Sequence, residues 1–274
     1  MDANFVERME KAARSRRARI GIGIHGGGQS ILSGIEPALE YAEVVIVGDP
    51  GCDTDLETIP SDDPAADLVD LLARGKIDGA VRGNVSASRA MRSIARTFDV
   101  TVRRLSILIL QDWCFFLAPV GIDEGDSISD RLNLAVLGAE YLRKIGIEPR
   151  VSILSGGRLE DLGRSDRVDR TLAEAELVAR IAKNRGVKAL HRGILIETCR
   201  DSDIIIAPDG ISGNLIFRTL MLLSGAKGLG APVIMDEVFV DSSRARSDFT
   251  GPLMLASALV GLKGKSNCVR PTPP

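Results

Sequence analysis

The sequence predicts an α/β fold: a mainly parallel sheet with helices packed on both faces. Three observations carry this expectation. Short β-branched runs, among them residues 44–47 and 204–207, alternate with stretches of helical periodicity, the order expected of strands joined by helical crossovers. The runs are almost continuously apolar, as strands covered on both faces are. The chain has 274 residues, 45% of them hydrophobic, past the size at which one compact unit is the default, so one large or two smaller domains are expected. Length and strand count together therefore predict two units with a cleft between them.

In order, a first amphipathic helix sets Phe5, Val6, Met9 and Ala13 on one face, and the basic run from Arg14 to Arg19 is its solvated side. A strand over residues 19–24 follows. Gly21 to Gly26 spells G-x-G-x-x-G, but a dinucleotide fingerprint follows a strand, whereas Gly21 and Gly23 alternate with Ile20, Ile22 and Ile24 and so lie inside one. The triple glycine at 26–28, leading to a helix from Ser30, suits either close approach to a phosphate or a plain turn. Residues 44–47 form a buried strand ending in Gly48-Asp49-Pro50, and 52–64 form a polar loop. A helix over 67–73, a strand at 79–81, the polar loop Arg82 to Ser86 and a helix over 88–98 come next.

A strand over 104–110 leads into Gln111-Asp112-Trp113-Cys114-Phe115-Phe116. An acidic, glycine-containing loop at 123–130 precedes a helix over 132–145. The strand 151–154 ends in Ser155-Gly156-Gly157-Arg158, and a long helix over 167–184 and a weaker strand over 193–196 follow. The strand 204–207 stops at Pro208-Asp209-Gly210; Gly213-Asn214 then opens a helix with Leu215, Ile216, Leu220 and Leu223 in its repeat. A strand over 233–235 leads toward Asp241-Ser242-Ser243-Arg244, and a helix over 250–262 closes the fold.

Composition excludes several classes. Lys+Arg 35 against Asp+Glu 37 leaves a formal charge of −2, so no global field favours nucleic acid or an anionic membrane. Cys52, Cys114, Cys199 and Cys268 lack C-x-x-C spacing and there are two histidines, so neither a zinc site nor a disulfide framework is predicted. The apolar stretch 105–117 is broken by Gln111 and Asp112 and falls short of the roughly 18 residues of a membrane span. With no secretory signal read ahead of the first helix, the cytoplasm is the expected compartment.

The candidate chemistry lies at strand ends. The turn Asp241 to Arg244, with Asp248 beyond it, groups two hydroxyls, a guanidinium and carboxylates. Singly, Ser242 or Ser243 reads as a helix N-cap and Arg244 with Asp248 as a surface pair; together they supply a base, a donor and a cation for one pocket. Arg82 either faces the ligand edge or pairs with a local carboxylate, and Cys114 by itself reads as a buried hydrophobe.

Taken in order, VVIVGDP (44–50), GKIDGAVRGNVSAS (75–88), QDWCFF (111–116), IGIEPRVSILSGG (145–157), APDGISGNLIFR (207–218) and SSRARSD (242–248) resemble the phosphate acetyltransferase and butyryltransferase family. The Pro-Asp-x-x-x-Gly-Asn loop at 208–214 and the strand entry at Gly146 are the most specific parts. The whole is also similar to a divergent archaeal branch, methanogenesis marker protein four or MtxX, which carries a methyltransferase label. The resemblance implies a two-domain, three-layer α/β/α fold like isocitrate and isopropylmalate dehydrogenases. Its domains would be residues 1–103 with 234–274 and residues 104–233, with the active-site cleft between them.

It further implies a homodimer that moves an acyl group between phosphate and a thiol such as coenzyme A, a small anionic substrate, without a metal or a tightly bound cofactor. Ser243 and Arg244 match the residues that bind substrate and steady the transition state, and Asp248 matches the base for the thiol. The substrate-binding positions are Arg82, Ser86, Cys114, Ser155, Gly156, Asp209, Gly213 and Asn214. The chain departs from the family where Ala245-Arg246 fills a shortened step, where Arg82 replaces a common serine, and where the 155–158 loop lacks a Ser/Thr-rich form. Two other readings stand beside acyl transfer. One is a methyltransferase-related role in methanogenesis with a corrinoid- or pterin-linked partner, for which neither an S-adenosylmethionine loop nor an axial-histidine signature at His25 or His191 is evident. The other is a non-catalytic anion-binding relative.

Overall fold

The computed structural model describes residues 4–243 and 248–266. In chain order the elements are α1 (Asn4–Arg16), β1 (Arg19–His25), α2 (Gly28–Ile35), β2 (Glu43–Asp49), β3 (Thr58–Ile59), α3 (Pro64–Ala73), β4 (Gly79–Val81), α4 (Ala87–Phe98), β5 (Ser106–Leu110), β6 (Trp113–Ala118), α5 (Ile128–Lys144), β7 (Arg150–Leu154), α6 (Asp166–Asn184), β8 (Lys188–Gly193), β9 (Ile204–Ile206), α7 (Gly210–Leu223), β10 (Lys227–Pro232), β11 (Phe239–Asp241) and α8 (Thr250–Ser266). They form two compact units: Val6–Val102 with the chain from Leu229 onward, and Arg103–Gly228 with the first residues.

In the first unit the strand order is β3-β2-β1-β4-β11-β10, parallel throughout except for the β10–β11 pair. Side chains alternate along each strand, and the glycines show which layer each face meets. A Cβ on Gly21 would touch Ile77 and Leu68 of α3, whereas one on Gly79, paired with Ile20, would meet Val260 of α8. α3 and α8 therefore cover opposite faces, a three-layer α/β/α arrangement. Leu68, Val69 and Leu72 of α3 pack with Ile77, Ala80, Ala90, Ile94 and Phe239 in one core. Gly21 and Gly23 do lie inside β1, each backed by a neighbour closer than a Cβ allows, which is why the nucleotide-like spelling is a packing feature.

The second unit orders its strands β5-β6-β9-β7-β8, all parallel except the β5–β6 hairpin. The hairpin turns at Gln111, whose φ of 56° lies in the left-handed region that few residues other than glycine adopt. Trp113 and Phe115 stack with centroids 4.0 Å apart and join Leu108, Leu117, Leu154, Cys199 and Ile205 in the core.

Three sequence expectations are displaced. The weak strand expected at 193–196 is β8, ending at Gly193; it is an edge strand, only partly buried, so its sequence lacks an apolar run. Residues 233–235 lie between β10 and β11. Val233 and Met235 are buried in the core, and their apolar signal came from burial without a strand of their own. α7 starts at Gly210 instead of near Gly213 because Asp209 caps it, accepting the Ser212 N–H at 2.7 Å.

Candidate functional site

In the first unit, the carboxyl ends of β1 and β4 face the amino ends of α3 and α4. A cleft of about 450 Å³ opens there, bounded by His25, by Asp62 to Ala65 at the start of α3, and by Asn84, Val85, Ser86 and Arg89 leading into α4. This is the edge of an open α/β sheet where ligands characteristically bind. Asn84 is fixed by the backbone it crosses: its Oδ1 accepts the His25 N–H at 2.7 Å, and its Nδ2 donates to His25 O at 3.2 Å and Gly26 O at 3.3 Å. Ser86 is the N-cap of α4, its Oγ accepting the Arg89 N–H at 3.4 Å and lying 3.2 Å from Ser88 Oγ. Arg89 donates to Asp63 at 2.8 Å through a side chain 60% exposed. A helix start, two hydroxyls and a mobile-length guanidinium offer donors to an oxyanion, while Asp62 and Asp63 set a negative rim opposite.

Arg82 and Asp241 form a buried ion pair behind this wall, with Arg82 Nη1 also donating to Val85 O at 2.7 Å. Of the two roles open to Arg82, the structure displays the pairing with a carboxylate. Ser242 donates through Oγ to Gly83 O at 3.1 Å. Ser243 is exposed. Asp248 is exposed too, and its Oδ1 accepts the Thr250 N–H at 2.8 Å at the start of α8. Arg244 lies outside the described residues.

The remaining expected positions belong to the second unit, where each has a structural partner. The N–H of Gly213 donates to Asp209 O at 3.0 Å inside the first turn of α7, and a Cβ there would stand 1.9 Å from Pro119 O. Asn214 donates to Val120 O at 2.8 Å. The Gly156 N–H donates to Thr171 Oγ1 at 2.9 Å. The amides of both glycines expected among the substrate-binding positions thus already have acceptors, because the helix and the α6 side chain reach them first. Cys114 is 1% exposed between two aromatic residues, and burial pushes its thiol up to about 12. It stays neutral at physiological pH, as a core residue does.

One grouping was not read from the sequence. Ser155 Oγ lies 2.9 Å from His191 Nε2, and His191 Nδ1 lies 3.2 Å from Glu176 Oε2. A serine, an imidazole and a carboxylate in a row are the parts of a nucleophile and its base. Ser155 is only 1% exposed, however, and its hydroxyl also bonds Gly157 O at 3.0 Å, so the row ties the Ser-Gly-Gly loop to β8 and α6. Sequence separations of 15 and 36 residues hid it. Among the described residues, no group of three or more His, Cys, Asp or Glu is placed to hold a metal ion, and no helix is long and apolar enough to cross a membrane.

No protein-family model matches the chain. A Methanosarcina acetivorans protein, provisionally named methyltransferase mtx subunit X, is 49% identical over 265 residues, which is 93% of this chain and 95% of that protein. The chain belongs to the mtx subunit X family. More distantly, a phosphate butyryltransferase of Clostridium acetobutylicum is 24% identical over 224 residues, covering 73% of this chain and 74% of its own. A phosphotransacetylase structure from Streptococcus pyogenes superposes with a TM-score of 0.72 at 16% identity, covering 97% of this chain and all of that one (100%). The chain therefore shares the phosphotransacetylase fold, and its relatives in the mtx subunit X family carry transferase names.

Proposed function

We propose that this member of the mtx subunit X family is a transferase of the phosphotransacetylase type, moving an acyl group between phosphate and a thiol such as coenzyme A. The observation that supports this most is the cleft at the carboxyl edge of β1 and β4, which gathers Ser86, Arg89 and the start of α4; the kinship with phosphate butyryltransferase gives it a reaction. In that reaction a thiolate attacks the acyl carbonyl, making the C–S bond and an oxyanion; the oxyanion then collapses to the thioester as the acyl C–O bond breaks and inorganic phosphate leaves. Donors near the carbonyl oxygen lower this barrier, and the exposed Asp248 is the candidate to take the thiol proton. The setting we assign is cytoplasmic.

The test is thioester formation from acetyl phosphate and coenzyme A by the purified chain. Arg89→Ala removes a largely exposed guanidinium, so stability is expected to stay within about 0.5 kcal/mol. The KM for acetyl phosphate is expected to rise about tenfold, the scale of one lost charge-assisted contact. Absence of thioester with the unaltered protein would refute the acyl-transfer reading. The second reading, methyl transfer with a corrinoid- or pterin-linked partner, is favoured by the names of close relatives, and transfer of a methyl group in place of thioester formation would establish it.

A homodimer is part of the proposal. Ile211, Leu215 and Leu222 stand 61%, 62% and 66% exposed at helical spacing on α7, an apolar stripe that can pair with its own copy across a two-fold axis. Leu215→Glu together with Leu222→Glu is expected to convert a dimer to a folded monomer in sedimentation equilibrium. A wild-type monomer would refute the dimer.

A further inference from the structure

Two neighbouring strand ends carry opposite charges. β4 and β11 run parallel, with Val81 paired to Val240, so Arg82 and Asp241 leave the sheet side by side. They are 5% and 8% exposed. Arg82 Nε donates to Asp241 Oδ1, and Nη1 reaches forward to Val85 O at 2.7 Å. The same Asp241 Oδ1 accepts the Ser242 N–H at 3.0 Å, and Ser242 Oγ returns to Gly83 O at 3.1 Å. Two bonds therefore run from this cluster to the turn at 83–86, the wall of the cleft. The carboxylate at its other end fixes the residue just before Ser243.

We infer that the Arg82–Asp241 pair is a positioning device, holding the cleft-lining turn and the start of the Ser243 segment in one fixed relation. Folding energy does not account for it. Two ions removed from water lose much of what their attraction returns, and well-packed apolar residues in their place are often as stable. What an apolar pair lacks is direction: the planar fork of arginine bonds a carboxylate and a carbonyl at once. Lysine, a single ammonium, has no such fork. The remaining links confirm how tightly the turn is held. Gly83 has φ +67° and would place a Cβ 2.0 Å from Gly23 O, and Asn84 donates its N–H to that same oxygen at 3.2 Å.

The consequence for catalysis rests on the acyl-transfer reading; the consequence for the turn does not. The test is amide hydrogen exchange on the full chain for the wild type, for Arg82→Met with Asp241→Leu, and for Arg82→Lys. The amides to read are Asn84 and His25, since neither bonds a replaced side chain, and the His25 N–H is covered by Asn84 Oδ1. The double variant is expected to melt close to the wild type while both amides exchange about tenfold faster, the mark of a local opening. Its KM for acetyl phosphate is expected to rise more than its kcat falls. Arg82→Lys is expected to give the same local acceleration, and it decides the matter if the double variant does not fold. Unchanged exchange at Asn84 and His25, or acceleration spread evenly over the unit, overturns the inference. A wild type that makes no thioester removes the acyl-transfer reading alone, because the exchange result still judges the pair.

Discussion

Asp241→Leu alone is expected to cost about 3–5 kcal/mol of folding stability, the usual penalty for breaking a buried ion pair from one side. The variant leaves the Arg82 guanidinium, 5% exposed, with the Val85 carbonyl but without its carboxylate. It also takes the acceptor from the Ser242 N–H. Urea unfolding measures the loss as a fall in midpoint at constant slope. Adding Arg82→Met is expected to recover most of it, since a charge buried without its partner costs more than an apolar pair of similar volume. A single variant as stable as the wild type would show that Arg82 finds another anion or water, and that the pair is weaker than its burial implies.

Gly213→Ala is expected to destabilise by about 2–3 kcal/mol, although alanine is ordinarily the better helix former by about 1 kcal/mol. The favourable propensity loses because the new methyl would sit 1.9 Å from Pro119 O, a backbone atom that cannot rotate away. Either α7 or the segment at Pro119 must shift, and Asn214, the next residue, would lose alignment with Val120 O. Thermal melting reads the effect. A glycine serving only to admit an anion would give an unchanged melting temperature with weaker ligand binding, and that outcome would return Gly213 to the ligand.

The strands were legible where burial on both faces writes a continuous apolar run. β2 and β9 are of this kind, and the helices beside them show in their repeats. β8 was misplaced because this edge strand interleaves Lys188, His191 and Arg192 with its few apolar residues and so writes no apolar run, although His191 itself is buried against Ser155. β6 blended into the apolar stretch before it, since its turn at Gln111 uses an uncommon backbone conformation without a glycine to announce it. In the candidate site, Ser86 was read correctly as lying in a polar strand-end loop. Asn84 and Arg89 stood in or beside that loop with nothing to mark them, because their importance comes from lining a cleft with His25 and Asp63, residues far from them in the chain.

By itself the sequence determined the alternation of strands and helices, the two-faced burial of the sheet, the placement of Gly21 and Gly23 within a strand, and the resemblance to phosphate acetyl- and butyryltransferases. Each is a matter of local spacing or of motif order, which a chain carries whether or not it is folded. Only the tertiary structure decided which polar strand ends border an open cleft and which are occupied. Arg82 and Asp241 are 159 residues apart, and the amides of Gly156 and Gly213 differ from free donors only through the acceptors that folding brings to them. A hydrogen bond or an ion pair depends on distance and direction in space, and residue type supplies neither.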